Sequence, residues 1–137
     1  MENTTENQEQ TFNHNEVNNQ YEKNLEILKK RIKNIENKDI SENNKKEDLI
    51  NEFFNFILNL LPENKELAHL IDIISKTIKN NSKFAYEIIS SFTQGCIFKE
   101  KSSKDIVINI SKIIQTDGIK DNPNLVFDII NGFIEGC

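Results

Sequence analysis

Two segments of the chain, 84–96 and 125–137, are matched copies of one pattern. Identical residues stand at five aligned positions, Ile88/Ile129, Ile89/Ile130, Phe92/Phe133, Gly95/Gly136 and Cys96/Cys137. The offset between the copies is 41 residues here and 36 in the segments before them, because the second copy carries an insertion around 117–121. Matched helices joined by a variable connector are typical of helical-hairpin repeats. The sequence therefore predicts two hairpins, 64–96 and 103–137.

The spacing of apolar residues predicts an all-α protein of about six helices. Apolar side chains recur at three- and four-residue spacing through most of the chain, which is the helical period. The predicted helices are 21–38, 47–61, 64–80, 82–95, 103–116 and 122–135, with a polar connector over 37–46. The first two helices are interpreted as a divergent first hairpin, a third copy of the repeat. The architecture is then a compact helical bundle or a short α-solenoid.

The second predicted helix differs from the others in being apolar almost all round. Only Asn51, Asn55 and Asn59, spaced by four, leave a thin polar stripe on it. A helix of this kind is usually buried between others. We therefore expect it to be the central element, which favours the bundle over the solenoid.

Local signals predict where the later helices begin and end. Ser82 is a candidate N-cap, and Gly95 is the residue type that commonly follows a helix end. Asn122 and Pro123 are a typical cap and first-turn pair. The fifth helix is the weakest case, because alternating isoleucines favour a strand. Its alignment with the third helix, Ile74–Lys76 on Ile110–Lys112, indicates a helix instead.

The first twenty residues differ in composition from the rest. Phe12 and Val17 are their only large apolar side chains, and Asn, Gln, Glu and Thr dominate. Such a segment buries too little apolar surface to offset the entropy of ordering. We predict a disordered acidic tail over 1–20 and a single helical domain over 21–137.

Charge and targeting signals limit the partners. The formal net charge of -5 disfavours a phosphate backbone, which proteins bind through clustered Lys and Arg. The first residues show no signal peptide, and no apolar run approaches the length of a membrane span. The two cysteines form no disulfide framework. We expect a soluble cytoplasmic protein that binds neither nucleic acid nor membrane directly.

The candidate residues for chemistry are few. His14 lies in the predicted tail, and His69 has only Asp72 near it in sequence. Cys96 and Cys137 occupy equivalent repeat positions, and residues 29–33 are basic but share a helix with glutamates. Since catalysis and metal binding need a constellation of groups, each of these is interpreted as structural or solvated. We predict no enzyme activity, no metal and no cofactor.

Two apolar faces are candidate partner-binding surfaces. A narrow seam on the first helix comprises Leu25, Leu28, Ile32 and Ile35, and serves either packing within the domain or association with another helix. The sixth helix carries Phe127 where the fourth has Tyr86, and Ile134 where the fourth has Thr93. A terminal repeat should have a polar outer surface. We therefore predict a binding surface of Phe127, Ile130 and Ile134.

The resulting functional prediction is a non-enzymatic protein–protein interaction module that binds through an apolar helical face. Its partner is another protein or a second copy of the chain, in a homodimer. The alternative is an acidic regulatory or inhibitory protein that occupies a basic, nucleic-acid-binding site of its target. An acid-mediated complex weakens steeply with salt, whereas an apolar one does not.

Overall fold

The computed structural model describes residues 2–62 and 67–137, and describes side chains for 19–62 and 67–137. The helices are α1 (Glu2–Asn37), α2 (Glu42–Asn55), α3 (Ala68–Asn80), α4 (Ala85–Phe98), α5 (Ser103–Ile114) and α6 (Pro123–Gly136). A π-helical turn, Phe56–Leu60, continues α2, and a 3-10 turn, Ser82–Phe84, precedes α4. The described residues contain no strand, which confirms the all-α prediction.

The six helices form two layers. α1, α3 and α5 pack in sequence order in one layer, and α2, α4 and α6 pack in the same order in the other. α1 also packs on α2, and α5 on α6. This arrangement is three stacked hairpins, the α-solenoid form of the fold prediction. The α1–α2 pair occupies the place of the predicted divergent hairpin.

The central helix is α4, and the prediction that the second helix is central was wrong. α4 lies between α2 and α6, and its side chains are buried on most sides. On α2, Leu49 and Phe53 are buried, but Phe54 is only half-buried. Leu60, in the turn after α2, is exposed. The apolar circumference of α2 is not fully covered, because no described helix packs on its outer side.

Gly95 lies inside α4, and the prediction that it ends the helix was wrong. The helix continues to Phe98, and the residue with positive φ is Glu100, at 59°. A Cβ at Gly95 would lie 3.0 Å from Cγ2 of Ile57. The glycine allows α4 to approach the chain after α2 closely, so its role is helix packing.

Other helix boundaries also differ from the predictions. Ser41 caps α2 by accepting a hydrogen bond from the Asn44 amide at 3.2 Å, so the helix begins within the predicted connector 37–46. Ser82 makes no capping hydrogen bond and starts the 3-10 turn instead. The predicted start of the third helix falls partly on 63–66, outside the described residues.

The fifth and sixth helices form as predicted. Ser102 caps α5, and its hydroxyl accepts a hydrogen bond from the Asp105 amide at 3.1 Å. Asn122 caps α6, with Pro123 in the first turn. Between them, Gly118 has φ of 87°, and the insertion buries Ile119 completely. The repeat was therefore a better guide to α5 than its alternating isoleucines.

The N-terminal prediction is tested only in part. The sequence predicts a disordered tail over 1–20. The side chains of residues 1–18 lie outside the described part, so their packing does not test this prediction. Asn19 and Gln20 are exposed, and Tyr21 is the first described side chain that is buried. Within the residues that the structure describes, no helix is both long enough and apolar enough to span a membrane.

Candidate protein-binding surface

α6 packs on one face of α4. Because the two helices are aligned copies, α6 has a face of its own at the equivalent positions. A Cβ at Gly136 would lie 2.6 Å from Cβ of Thr93, and one at Gly132 would lie 3.2 Å from Cβ of Ile89. A Cβ at Gly132 would also meet the carbonyl oxygen of Tyr86. α6 therefore covers the face of α4 that carries these three residues.

The equivalent face of α6 is exposed. Forty-one positions later, Tyr86, Ile89 and Thr93 correspond to Phe127, Ile130 and Ile134. Tyr86 is 36% exposed and Ile89 and Thr93 are 0% exposed, whereas Phe127, Ile130 and Ile134 are 65%, 41% and 62% exposed. The difference arises because α6 covers α4 and no described element covers this face of α6 in turn.

The other layer of the stack ends in the same way. Ile71 of α3 aligns with Val107 of α5, and α5 packs on α3. Ile71 is 4% exposed and Val107 is 47% exposed. We name Val107, Phe127, Ile130 and Ile134 the open-end surface. These are the positions on which a further hairpin would pack.

The open-end surface is less polar than the covered surface that it resembles. Within α4, the Thr93 hydroxyl donates a hydrogen bond to the Ile89 carbonyl oxygen at 2.8 Å. The Tyr86 hydroxyl hydrogen-bonds to Glu135, and partial burial together with this carboxylate raises the pKa of Tyr86 above its ordinary value. Phe127 and Ile134 lack both hydroxyl groups. At both positions the residue without the hydroxyl group is the more exposed of the pair, the reverse of the usual distribution.

Acidic residues lie on the same helix as the apolar stripe. Asp128 and Glu135 are exposed, and α6 contains no lysine or arginine. In a helix with 3.6 residues per turn, both fall on one side of the stripe of Phe127, Ile130 and Ile134. The open-end surface therefore has one negatively charged edge.

The predicted seam of α1 is not accessible to a partner. Leu25, Leu28, Ile32 and Ile35 are all buried in the core of the domain. α1 packs on α2 and α3, and the residues of the seam are buried in that packing. Its inclusion among the partner-binding residues was therefore wrong, because a two-heptad seam has the same pattern whether it packs on its own chain or on another.

The sulfur and imidazole groups do not converge. Cys96 is buried and Cys137 is exposed, and both thiols are free. Burial raises the pKa of the Cys96 thiol to about 12, so it stays protonated at neutral pH. His69 is exposed. Among the described side chains, no group of three or more His, Cys, Asp or Glu residues could hold a metal ion.

Two of the four basic residues in segment 29–33 pair with carboxylates. Nζ of Lys29 lies 3.0 Å from Glu26, and Nη1 of Arg31 lies 3.5 Å from Glu52. This segment borders a groove of about 1050 Å³ between α1 and α3, which five lysines and four carboxylates line. The groove therefore carries little net charge.

Phe127, Ile130 and Ile134 lie on one exposed face of α6, and the structure adds the exposed Val107 of the neighbouring α5, which the sequence reasoning missed. The signal for Val107 was present in the alignment of Ile71 with Val107, but only the differences between the fourth and sixth helices were interpreted. Comparisons of the chain with family models, with curated proteins and with solved structures each returned no match. No relative therefore supplies a function for this surface.

Proposed function

We propose that the chain is a non-enzymatic protein–protein interaction module of the cytoplasm that binds a helix of another protein on its open-end surface. The observation that carries this proposal is the inverted polarity of the two equivalent faces. On the α4 face Tyr86 is 36% exposed and Thr93 is 0% exposed, whereas at the equivalent positions of α6 the more apolar Phe127 and Ile134 are 65% and 62% exposed. Exposed apolar side chains that form one continuous patch commonly mark an interaction site.

The stacked architecture supports the same function. In an α-solenoid each hairpin contacts its neighbours, and a terminal hairpin without a polar outer face needs a cover. The open-end surface has the contour that α6 itself recognises on α4, so a helix is the element that fits it. Helix-in-groove binding of this kind uses apolar anchors at three- and four-residue spacing, the spacing of Phe127, Ile130 and Ile134.

Site-specific photo-crosslinking tests the proposed function. A benzophenone amino acid replaces Phe127 in one variant and Ile27 in the control, in cells that express the chain. Ile27 is 51% exposed but lies on α1, in the first hairpin. We expect an adduct with one defined protein from position 127 and not from position 27. The purified adduct partner should then bind the chain at least about tenfold more weakly after Ile134→Glu.

Two results contradict the proposal. The first is the same set of adducts from both positions, or no adduct from either. The second is a purified partner whose affinity Ile134→Glu leaves unchanged. Self-association, the other form of binding that the stripe predicts, is tested by sedimentation equilibrium of the full chain with and without Phe127→Glu.

A further inference from the structure

We infer that the partner helix carries small residues four positions apart, and a lysine or arginine that faces Asp128. This inference rests on the proposed function and specifies its partner. It follows from the continuity of the stack, because the open-end surface repeats an interface that the chain already makes internally. The residues of α6 that meet α4 therefore indicate what a helix packed on α6 would need.

In both helix pairs, α2–α4 and α4–α6, the later helix of the pair carries glycine at the contact. We call the later helix of such a pair the incoming helix. Gly95 of α4 packs on Ile57, and Gly132 and Gly136 of α6 pack on α4. A Cβ at Gly136 would come 2.7 Å from the Ser90 carbonyl oxygen. Gly132 and Gly136 of α6 are four residues apart, so they lie on one face and bring the backbones of α6 and α4 close together.

The exposed face of α6 has the same surface shape as the face of α4 on which α6 packs. The carbonyl oxygens of Phe127 and Asn131 occupy the helical positions equivalent to those of Tyr86 and Ser90. Ile134 is branched at Cβ as Thr93 is, so its Cβ and Cγ2 groups occupy equivalent volume. A bulky side chain at either glycine-equivalent position of the incoming helix would meet backbone, which cannot rotate away.

The charge of the incoming helix should differ from that of α6. Glu135 of α6 lies against Tyr86 of α4, and Glu87 also acts electrostatically on that tyrosine. One step along the stack, the Glu135-equivalent residue meets Phe127 and Asp128. Phe127 has no hydroxyl to donate, and Asp128 repels a carboxylate. A cation at this position is favoured instead.

A second copy of the chain is a poorer occupant. Gly132 of that second copy is already buried against its own α4. The face of α6 that remains for contact carries the large side chains of Phe127, Ile130 and Ile134. In an antiparallel pair of α6 helices, the edges that carry Asp128 and Glu135 would face each other, with no basic residue on α6 to offset them. The occupant that the observations favour is therefore a helix of a different protein.

A stapled peptide made from α6 tests this inference. The probe is residues 122–137 with Phe127→Gln, Glu135→Lys and Cys137→Ser, and with a hydrocarbon staple that replaces the side chains at 130 and 134. These changes leave the face with Gly132 and Gly136 intact. We expect fluorescence anisotropy to show binding to the full chain. A matched peptide with Gly132→Leu and Gly136→Leu should bind at least about tenfold more weakly.

Chain variants locate the bound probe. Ile130→Glu and, independently, Val107→Glu should each weaken binding about tenfold or more, whereas Ile27→Glu should leave it unchanged. Circular dichroism melting shows whether each variant is folded. Restoring Glu135 in the probe should weaken binding several-fold at low salt and less at high salt, where the repulsion from Asp128 is screened.

Five results would overturn the inference. Equal binding of the leucine peptide removes the requirement for small residues, and equal binding with Glu135 removes the requirement for a cation. Binding that persists in both the Ile130→Glu and Val107→Glu chains means that the probe displaces α6 from α4. A chain dimer that Ile130→Glu dissociates makes a second copy the occupant. Failure of the probe to bind, combined with a defined adduct from position 127, refutes this inference and leaves the proposed function standing.

Discussion

Gly136 of α6 lies so close to Thr93 of α4 that a Cβ at position 136 would come within 2.6 Å of Cβ of Thr93. One step earlier in the stack, Gly95 has the same relation to Ile57, with a Cβ-to-Cγ2 distance of 3.0 Å. These glycines are aligned in the two repeats. They allow α4 to approach the turn after α2 closely, and α6 to approach α4 closely.

Substitution of Gly132 tests this close approach of α6 to α4. The Cβ of Gly132→Ala would meet the Tyr86 carbonyl oxygen, and overpacking of this kind costs about 1–3 kcal/mol. In an exposed helix the same change would instead stabilise by about 1 kcal/mol. We expect a lower free energy of unfolding in urea. Ser111→Ala, at an exposed position of α5, is the control, and an alanine at 132 that stabilises the chain would refute the packing.

Adjacent residues of α1 test whether its seam belongs to the core. Leu28 is 2% exposed and Ile27 is 51% exposed. We expect Leu28→Ala to lower the free energy of unfolding by about 2–5 kcal/mol, because it leaves a cavity, and Ile27→Ala to change it by less than about 0.5 kcal/mol. Chemical denaturation measures both. Similar small effects of the two changes would mean that α1 does not pack as described.

The two thiols should differ in reactivity. Cys96 is buried and its pKa is about 12, whereas Cys137 is exposed. Since the thiolate is the reactive form, we expect dithionitrobenzoate to titrate one thiol of the native chain rapidly and both thiols in denaturant. Cys137→Ser should remove the rapid reaction. Rapid reaction of the Cys137→Ser variant under native conditions would contradict the burial of Cys96.

Stability should fall in alkaline solution. The folded chain raises the pKa of Cys96 from 9.0 to about 12, so it retains a proton that the unfolded chain has lost. This contribution to stability is fully present below about pH 9 and is lost as the pH rises toward 12. Tyr21 and Tyr86, whose pKa values are also raised, add to the loss above about pH 10.

Urea unfolding of the chain at about pH 8 and about pH 10.5 measures this loss, which for one group reaches at most about 1.4 kcal/mol per pH unit. We expect Cys96→Ala to lower stability at both values and to reduce the difference between them. Cys137→Ser should leave the difference unchanged. An equal difference in the Cys96→Ala chain would show that this thiol does not titrate as described.

Apolar periodicity predicted the helices because it reflects the local geometry of a helix. Matching of the repeats predicted them because aligned segments of common origin adopt the same structure. Asn122 and Pro123 were enough to place the start of α6. The environment of Gly95 was not predictable in this way, because a helix-ending glycine and a packing glycine look alike until Ile57 is placed beside it. Ser41 was missed for a related reason, since the polar residues after it resemble a connector.

The candidate site was predicted in part. Differences between the copies identified Phe127 and Ile134, because these helical positions were apolar where a terminal repeat should be polar. Ile130, which is identical to Ile89, lies on the same face. The assignment of Leu28 and its seam to a partner depended on what lies opposite α1. A sequence pattern shows that a face is apolar, but only the tertiary arrangement shows which faces cover one another.

The most direct test of the open-end surface exchanges its residues for those of its covered equivalent. Phe127→Tyr with Ile134→Thr makes the exposed face as polar as that of α4. The free energy of unfolding should change by less than about 0.5 kcal/mol, because both side chains are exposed. Isothermal titration with the partner crosslinked at position 127 should show affinity reduced by about tenfold or more. Unchanged affinity together with lost stability would contradict the account, since these side chains would then serve the fold.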